Sequence, residues 1–117
     1  MVPVFSVVLS TYNRAPLLGG ALESLLALAP DSPAHELIVV DNNSTDGTRA
    51  VVERYVARSG GRMRYVFERQ QGLAHARNAG IVAARGRYVA FTDDDVRADP
   101  DWLTALAAAF AAHPEVD

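Results

Sequence analysis

Short apolar runs alternate with longer stretches in which apolar residues recur every three or four positions. Val4 to Leu9 is a compact, β-rich run and predicts a first strand. Leu17, Leu18, Ala21, Leu22, Leu25 and Leu26 then fall at helical spacing, which predicts a helix over about 15–28, closed by Pro30 and Pro33. Leu37 to Val40 reads as a second buried strand ending at Asp41. The stretch Asn42-Asn43-Ser44-Thr45-Asp46-Gly47 is turn and cap chemistry, and it opens a helix with the apolar stripe Val51, Val52, Tyr55 and Val56. Gly60-Gly61 breaks that helix, and Met63 to Glu68 follows as a shorter third strand.

A third helix is expected over about 71–84. It is rich in small residues (Ala74, Ala76, Ala79, Gly80, Ala83, Ala84) that let a helix sit close on a sheet, and Gly86 is read as its C-terminal cap. Tyr88 to Phe91 is the fourth strand, and it runs into Thr92-Asp93-Asp94-Asp95. Asp99-Pro100 reads as an N-cap with proline at the first helical position, opening a fourth helix. That helix would present Leu103, Leu106, Ala107 and Phe110 to the core and end at Pro114.

Four strand–helix units in strict alternation predict an α/β fold with a parallel, doubly wound sheet, because parallel strands need right-handed crossovers. Helices on both faces give a Rossmann-like three-layer sandwich with strand order 3-2-1-4. The switch point then lies between strands one and four, and ligands of such sheets bind at the carboxyl ends of the strands beside it. Ser10-Thr11-Tyr12-Asn13, Asp41 and Asp93 to Asp95 all fall at those ends.

The three consecutive acids change the picture most. Two unit charges about 4 Å apart repel by roughly 4 kcal/mol at an effective dielectric of about 20. Solvent, basic groups or a metal ion must offset that. Hard divalent cations prefer oxygen ligands and often bridge a carboxylate to substrate phosphates. The competing account is a solvated acidic turn leading into the next helix.

Composition narrows the class. The 117 residues fit one domain, large enough for a single core but near the small end for an enzyme. The formal net charge of −3 and the scattered basic residues give no sign of nucleic-acid binding. Without cysteine there is no disulfide framework and no thiolate zinc site. No apolar run approaches the roughly 18 residues needed to span a bilayer. Met1-Val2-Pro3-Val4 leads straight into a strand-like run, with no basic region or cleavage site, so a cytoplasmic setting is expected.

Several residues carry two readings each. Asp41 can accept hydrogen bonds from a base or a ribose, or it can cap the following turn. Asn42, Asn43, Ser44, Thr45 and Asp46 read more readily as turn and cap residues than as ligands. Tyr12 can stack on a base and Thr11 can offer a hydroxyl; alternatively Thr11 and Asn13 merely start the first helix. His75 and Arg77 lie near the start of the third helix, where a cation can face a diphosphate or simply a solvated helical face. Asn78 can orient a neighbouring carboxylate or bond to a loop.

Val7-Val8-Leu9-Ser10-Thr11-Tyr12-Asn13-Arg14 and Val39-Val40-Asp41-Asn42-Asn43-Ser44-Thr45-Asp46-Gly47-Thr48 resemble the start of the inverting family-2 glycosyltransferases, which have a GT-A fold. Gly72-Leu73-Ala74-His75-Ala76-Arg77-Asn78-Ala79-Gly80 and Phe91-Thr92-Asp93-Asp94-Asp95 continue the resemblance in the same order. Each motif is weak singly; four in register over essentially the whole chain are specific. The resemblance implies a nucleotide-diphosphate-sugar donor, a UDP-sugar favoured, and a divalent metal, manganese or magnesium. Thr11 and Tyr12 would lie at the nucleotide base, Asp41 would bond to it, and Arg77 would lie near the nucleotide pocket. Asp93 and Asp95 match the family's Asp-x-Asp pair, the first facing the ribose and metal shell and the second holding the metal. With three acids in a row the register stays open, and Asp94 is an alternative ligand.

Family members are usually twice this length or more, and their later half carries the acceptor site and the catalytic base. Residues 1–117 are therefore expected to be a donor-binding half, with the base beyond Asp117 and with no catalytic residue of its own. Glu115 and Asp117 come before the segment where that base belongs. The piece is expected to bind nucleotide weakly and to transfer no sugar. Any membrane association, at the inner face, would reside in missing segments. A halved domain can also pair with a second copy through exposed apolar surface. Two rivals fit less well. A nucleotidyltransferase commonly carries a glycine-rich, basic loop after strand one, whereas Ser10 to Pro16 has no glycine and only Arg14. A receiver-like, non-catalytic module draws acids from the end of strand one, where Ser10-Thr11-Tyr12-Asn13 stands. A short protein that keeps the fold and has lost catalysis is a third possibility.

Overall fold

In a computed structural model, which describes residues 3–112, the order is β1 (Phe5–Thr11), α1 (Ala15–Leu26), β2 (His35–Asp41), α2 (Thr48–Arg58), β3 (Met63–Phe67), α3 (Leu73–Ala83), β4 (Tyr88–Asp93) and α4 (Trp102–Ala112). All strands are parallel, in the order β3-β2-β1-β4. The sequence predicted that order. Pro114, Glu115 and Asp117, like Met1 and Val2, lie outside the described residues.

Alternation along the strands sorts the layers. Phe5, Val7 and Leu9 of β1, with Leu37 and Val39 of β2, point to a core shared with Leu18, Leu22 and Leu25 of α1, Val52 of α2 and Leu103 of α4. Val8, Ile38 and Val40 point to the opposite face, where Ala76 of α3 covers them. Three helices therefore lie on one face and one on the other. The predicted small residues explain how α3 approaches so closely: a Cβ at Gly80 would overlap the Cγ1 of Val8 and come within 3.3 Å of its Cβ.

Two local expectations are corrected. Gly86 does not cap α3, whose C-cap is Ala84 in an extended conformation. Gly86 instead lets the α3–β4 turn press onto β1: a Cβ there would stand 2.6 Å from the Ser6 nitrogen and 2.7 Å from the Phe5 carbonyl carbon. Asp99 does not cap α4 at Pro100. Its Oδ1 accepts from the Asp101 N–H at 2.8 Å and its carbonyl from the Trp102 N–H at 3.0 Å, a turn that delays the helix to Trp102. α1 begins without a side-chain cap from Thr11 or Asn13; its N-cap is Arg14.

Candidate functional site

The register brings the polar strand ends level. Thr11 pairs with Asp41 across β1 and β2, Ser10 with Asp93 across β1 and β4, and Asp41 with Phe67 across β2 and β3. A cleft of about 280 Å³ opens there, lined by Ser10 to Tyr12 and Arg14 from β1 and its loop, Asn42 after β2, Leu73 and Ala76 of α3, and Asp94 after β4, with Arg14 its basic member. It lies at the carboxyl edge beside the switch point, where the topology places ligands.

Thr11 is buried, and its hydroxyl donates to Asp94 Oδ2 at 3.0 Å, which fixes one acid of the triplet against the cleft. Asp93 and Asp95 are exposed. Tyr12 is 46% exposed and lines the cleft. Arg77 does not line the cleft; its guanidinium lies over the Phe91 ring, 5.2 Å from the centroid. Asp41 does not line it either. Its exposure is 1%, its Oδ2 accepts from the Tyr65 hydroxyl at 2.7 Å, and its Oδ1 accepts from the Ser44 N–H at 2.9 Å. Burial raises the Tyr65 pKa first, and the hydrogen bond to Asp41 raises it further, so that hydroxyl remains a donor.

Asn42, read from sequence as a turn residue, is the member of its loop that reaches the cleft. Its Nδ2 donates to the Glu68 and Gln70 carbonyls at 3.1 and 2.8 Å, and its Oδ1 accepts from the Gly72 N–H at 2.9 Å. It thereby ties the β2–α2 loop to the segment leading into α3, where Gly72 adopts φ 134°, a conformation open to glycine. No local pattern announces this, because all three partners lie 26 or more residues away.

Whether the acids suit a divalent ion can be judged from their donors. Among the described residues no three Asp, Glu, His or Cys side chains converge into a cage. No basic group pairs with Asp93, Asp94 or Asp95 among the described residues. What remains is a set of hard oxygen donors with two exposed members. That fits an ion such as magnesium, which usually takes one or two carboxylates and completes its shell with waters and substrate phosphates.

Comparison with known proteins identifies the family and the fold. The family model described as "Glycosyl transferase family 2" matches residues 6–117. Validoxylamine A glucosyltransferase of Streptomyces hygroscopicus subsp. jinggangensis is 41% identical over 112 residues, spanning 94% of this chain and 26% of that protein. Among solved structures, the mannosyltransferase PcManGT of Pyrobaculum calidifontis, in complex with GDP-Man and Mn2+, superposes with a TM-score of 0.85 at 32% identity, over 95% of this chain and 33% of that one. S. aureus TarS 1-349, in complex with UDP, gives 0.82 at 30%, over 94% of this chain and 32% of that one. The chain thus spans about a quarter to a third of the length of these relatives. By the match to its family model and the GT-A architecture of its structural neighbours, this chain belongs to glycosyl transferase family 2.

Proposed function

We propose that the chain is the donor-binding portion of a glycosyltransferase that moves a sugar from a nucleoside-diphosphate donor to an acceptor hydroxyl with inversion. The observation that carries this reading is the Thr11–Asp94 hydrogen bond at the mouth of the switch-point cleft. It sets an acid of the triplet in the same cleft that Tyr12 lines, so a base and a diphosphate can be held by one continuous surface. The nucleobase lies against Tyr12 and Thr11. Asp41 supports the site by holding Ser44 and Tyr65, while Asn42 lines the cleft with its polar side chain. The diphosphate then extends toward Asp93–Asp95, with Arg77 approaching from α3 once it leaves the Phe91 ring.

Asp95 and Asp93 would hold a divalent ion, manganese or magnesium, and Asp94 is the acid already engaged by Thr11. The chemistry such an ion supplies when bound is charge neutralisation on the departing nucleoside diphosphate. Inversion corresponds to a single in-line displacement at the anomeric carbon. The base that takes the acceptor proton is assigned to no residue of 1–117, so the chain alone is expected to transfer no sugar. Sustained transferase turnover by these residues alone would refute that part.

The relatives in complex carry GDP-mannose in one case and UDP in another, so the test spans bases, with UDP first. Thermal unfolding is followed with UDP, GDP, CDP and ADP, each with and without manganese. A ligand at 100 times its dissociation constant adds about 2.7 kcal/mol, a shift of several degrees. A shift that needs both one nucleotide and the metal, and that disappears in Asp95→Ala, is the expected result. No shift with any pair would sink the donor-site reading.

A further inference from the structure

Asn13 follows β1 with φ 48°, a left-handed conformation that few side chains adopt and asparagine tolerates better than most. Glycine would take it without strain, so the asparagine side chain needs a reason. Its Oδ1 accepts from the Thr45 N–H at 2.8 Å and the Asp46 N–H at 3.2 Å, and its Nδ2 donates to Thr45 Oγ1 at 3.4 Å. Its own N–H donates to Ser44 Oγ at 2.9 Å. One residue therefore locks the β1–α1 loop to the β2–α2 loop. Asp46 reinforces the lock by accepting from the Ala15 N–H at 3.3 Å.

Tyr12 stands between this clasp and Thr11, which is fixed by strand pairing to Asp41 and by the Asn42 N–H donated to its carbonyl at 2.8 Å. Among the described residues no side-chain hydrogen bond holds the Tyr12 hydroxyl, so the ring takes its direction from the backbone on either side. Asn13 itself does not line the cleft. We infer that Asn13 is a positioning residue. Its left-handed turn and its clasp on Ser44, Thr45 and Asp46 aim the Tyr12 ring at the base of a bound nucleotide and so set affinity for the base but not for the phosphates. This rests on the donor-site reading above.

The test is a double-mutant cycle read by calorimetric dissociation constants for UDP and for inorganic pyrophosphate, both with manganese. Asn13→Gly keeps the backbone conformation and the N–H bond to Ser44 but deletes the side-chain bonds to Thr45 and Asp46. It should weaken UDP about tenfold, the scale of one aromatic–base stack, and leave pyrophosphate within about twofold. Asn13→Asp keeps the acceptor oxygen for Thr45 and Asp46 and should return UDP to within about threefold of the parent. In a Tyr12→Ala background, Asn13→Gly should add less than about twofold, because the two residues act as one unit. Ser44→Ala loosens the same clasp from the far side; it should show the same pattern at smaller amplitude, and it takes the place of Asn13→Gly should that variant not fold. Equal weakening of pyrophosphate, an undiminished effect without Tyr12, or no weakening at all would each overturn the inference while leaving the donor site standing. A parent chain that binds neither ligand would overturn the donor-site reading and this inference with it.

Discussion

Asp41 illustrates how a buried carboxylate is held at the edge of a site. A fully buried carboxylate is tolerated only when its oxygens are satisfied, and the Tyr65 hydroxyl and the Ser44 N–H do that. Tyr65→Phe keeps the ring, and with it the packing of the Arg49 guanidinium 5.1 Å from its centroid, but leaves Asp41 Oδ2 without its donor. The expected cost is about 1–3 kcal/mol in urea unfolding at neutral pH. Because Asp41 does not line the cleft, the same variant should change the UDP dissociation constant less than about threefold; a larger loss would mean that Asp41 contacts the base directly. The sequence placed Asp41 correctly at the end of a buried strand, since the apolar run before it is unambiguous. It could not show the Tyr65 partner, 24 residues away in a short strand that reads as ordinary core. Asn42 and Asn13 were obscured for the opposite reason. Their local turn chemistry is so familiar that it masks partners 26 to 33 residues distant.

At the scale of elements, α3 is the piece whose placement shapes the cleft. It contributes Leu73 and Ala76 to the lining and reaches them only because Gly80 lets it lie against Val8. Gly80→Ala sets two effects against each other. Alanine favours an isolated helix by roughly 1 kcal/mol, while an extra methyl in a filled interface costs about 1–3 kcal/mol. The overlap is with Cγ1 of a β-branched side chain that is itself fully buried, so it has little room to turn. The clash should win, with net destabilisation of about 1–2 kcal/mol and weaker nucleotide binding as α3 lifts. A variant as stable as the parent, measured by urea midpoint, would show that the interface relaxes. The small-residue pattern of α3 was legible because it repeats along the helix. The role of Gly86 was not, because a cap and a close approach use the same residue and only the fold distinguishes them.

Across the whole molecule, ionisable groups gather at both edges of the sheet. Asp93 to Asp95 and Asp41 stand at the carboxyl edge, while His35, Arg62, Arg64 and Arg85 surround a second cavity of about 350 Å³ at the amino edge. No helix among the described residues is long and apolar enough to cross a membrane. The amino edge is held by Glu36, which accepts from the Ser6 hydroxyl, the Arg85 N–H and the Arg64 guanidinium, each at 2.6 Å. Arg64 also donates to the Ala83 carbonyl, so one carboxylate joins β1, β2, β3 and the end of α3. Burial raises the Glu36 pKa, but the bonds from Ser6, Arg85 and Arg64 outweigh it, and the net shift is downward from 4.5. The stability that Glu36 contributes is therefore present above about pH 4.5 and is lost as pH falls through its lower folded value.

His35 titrates in a separate window. Its pKa is lowered from 6.5, chiefly by burial, while a bond to the Pro33 carbonyl opposes the shift and the Arg62 charge adds to it. The unfolded chain binds that proton more readily than the folded one. Stability should thus decline as pH falls below about 6.5 and level off once pH passes the folded value. Urea midpoints measured from pH 8 to pH 3 should show two separate declines. His35→Asn should remove the upper one and leave the lower one in place. Glu36→Gln breaks a largely buried ion pair and should cost about 3 kcal/mol at neutral pH, with the decline below pH 4.5 flattened. A profile for Glu36→Gln that still falls as steeply below pH 4.5 would mean that the amino-edge junction is not what holds the sheet together at low pH.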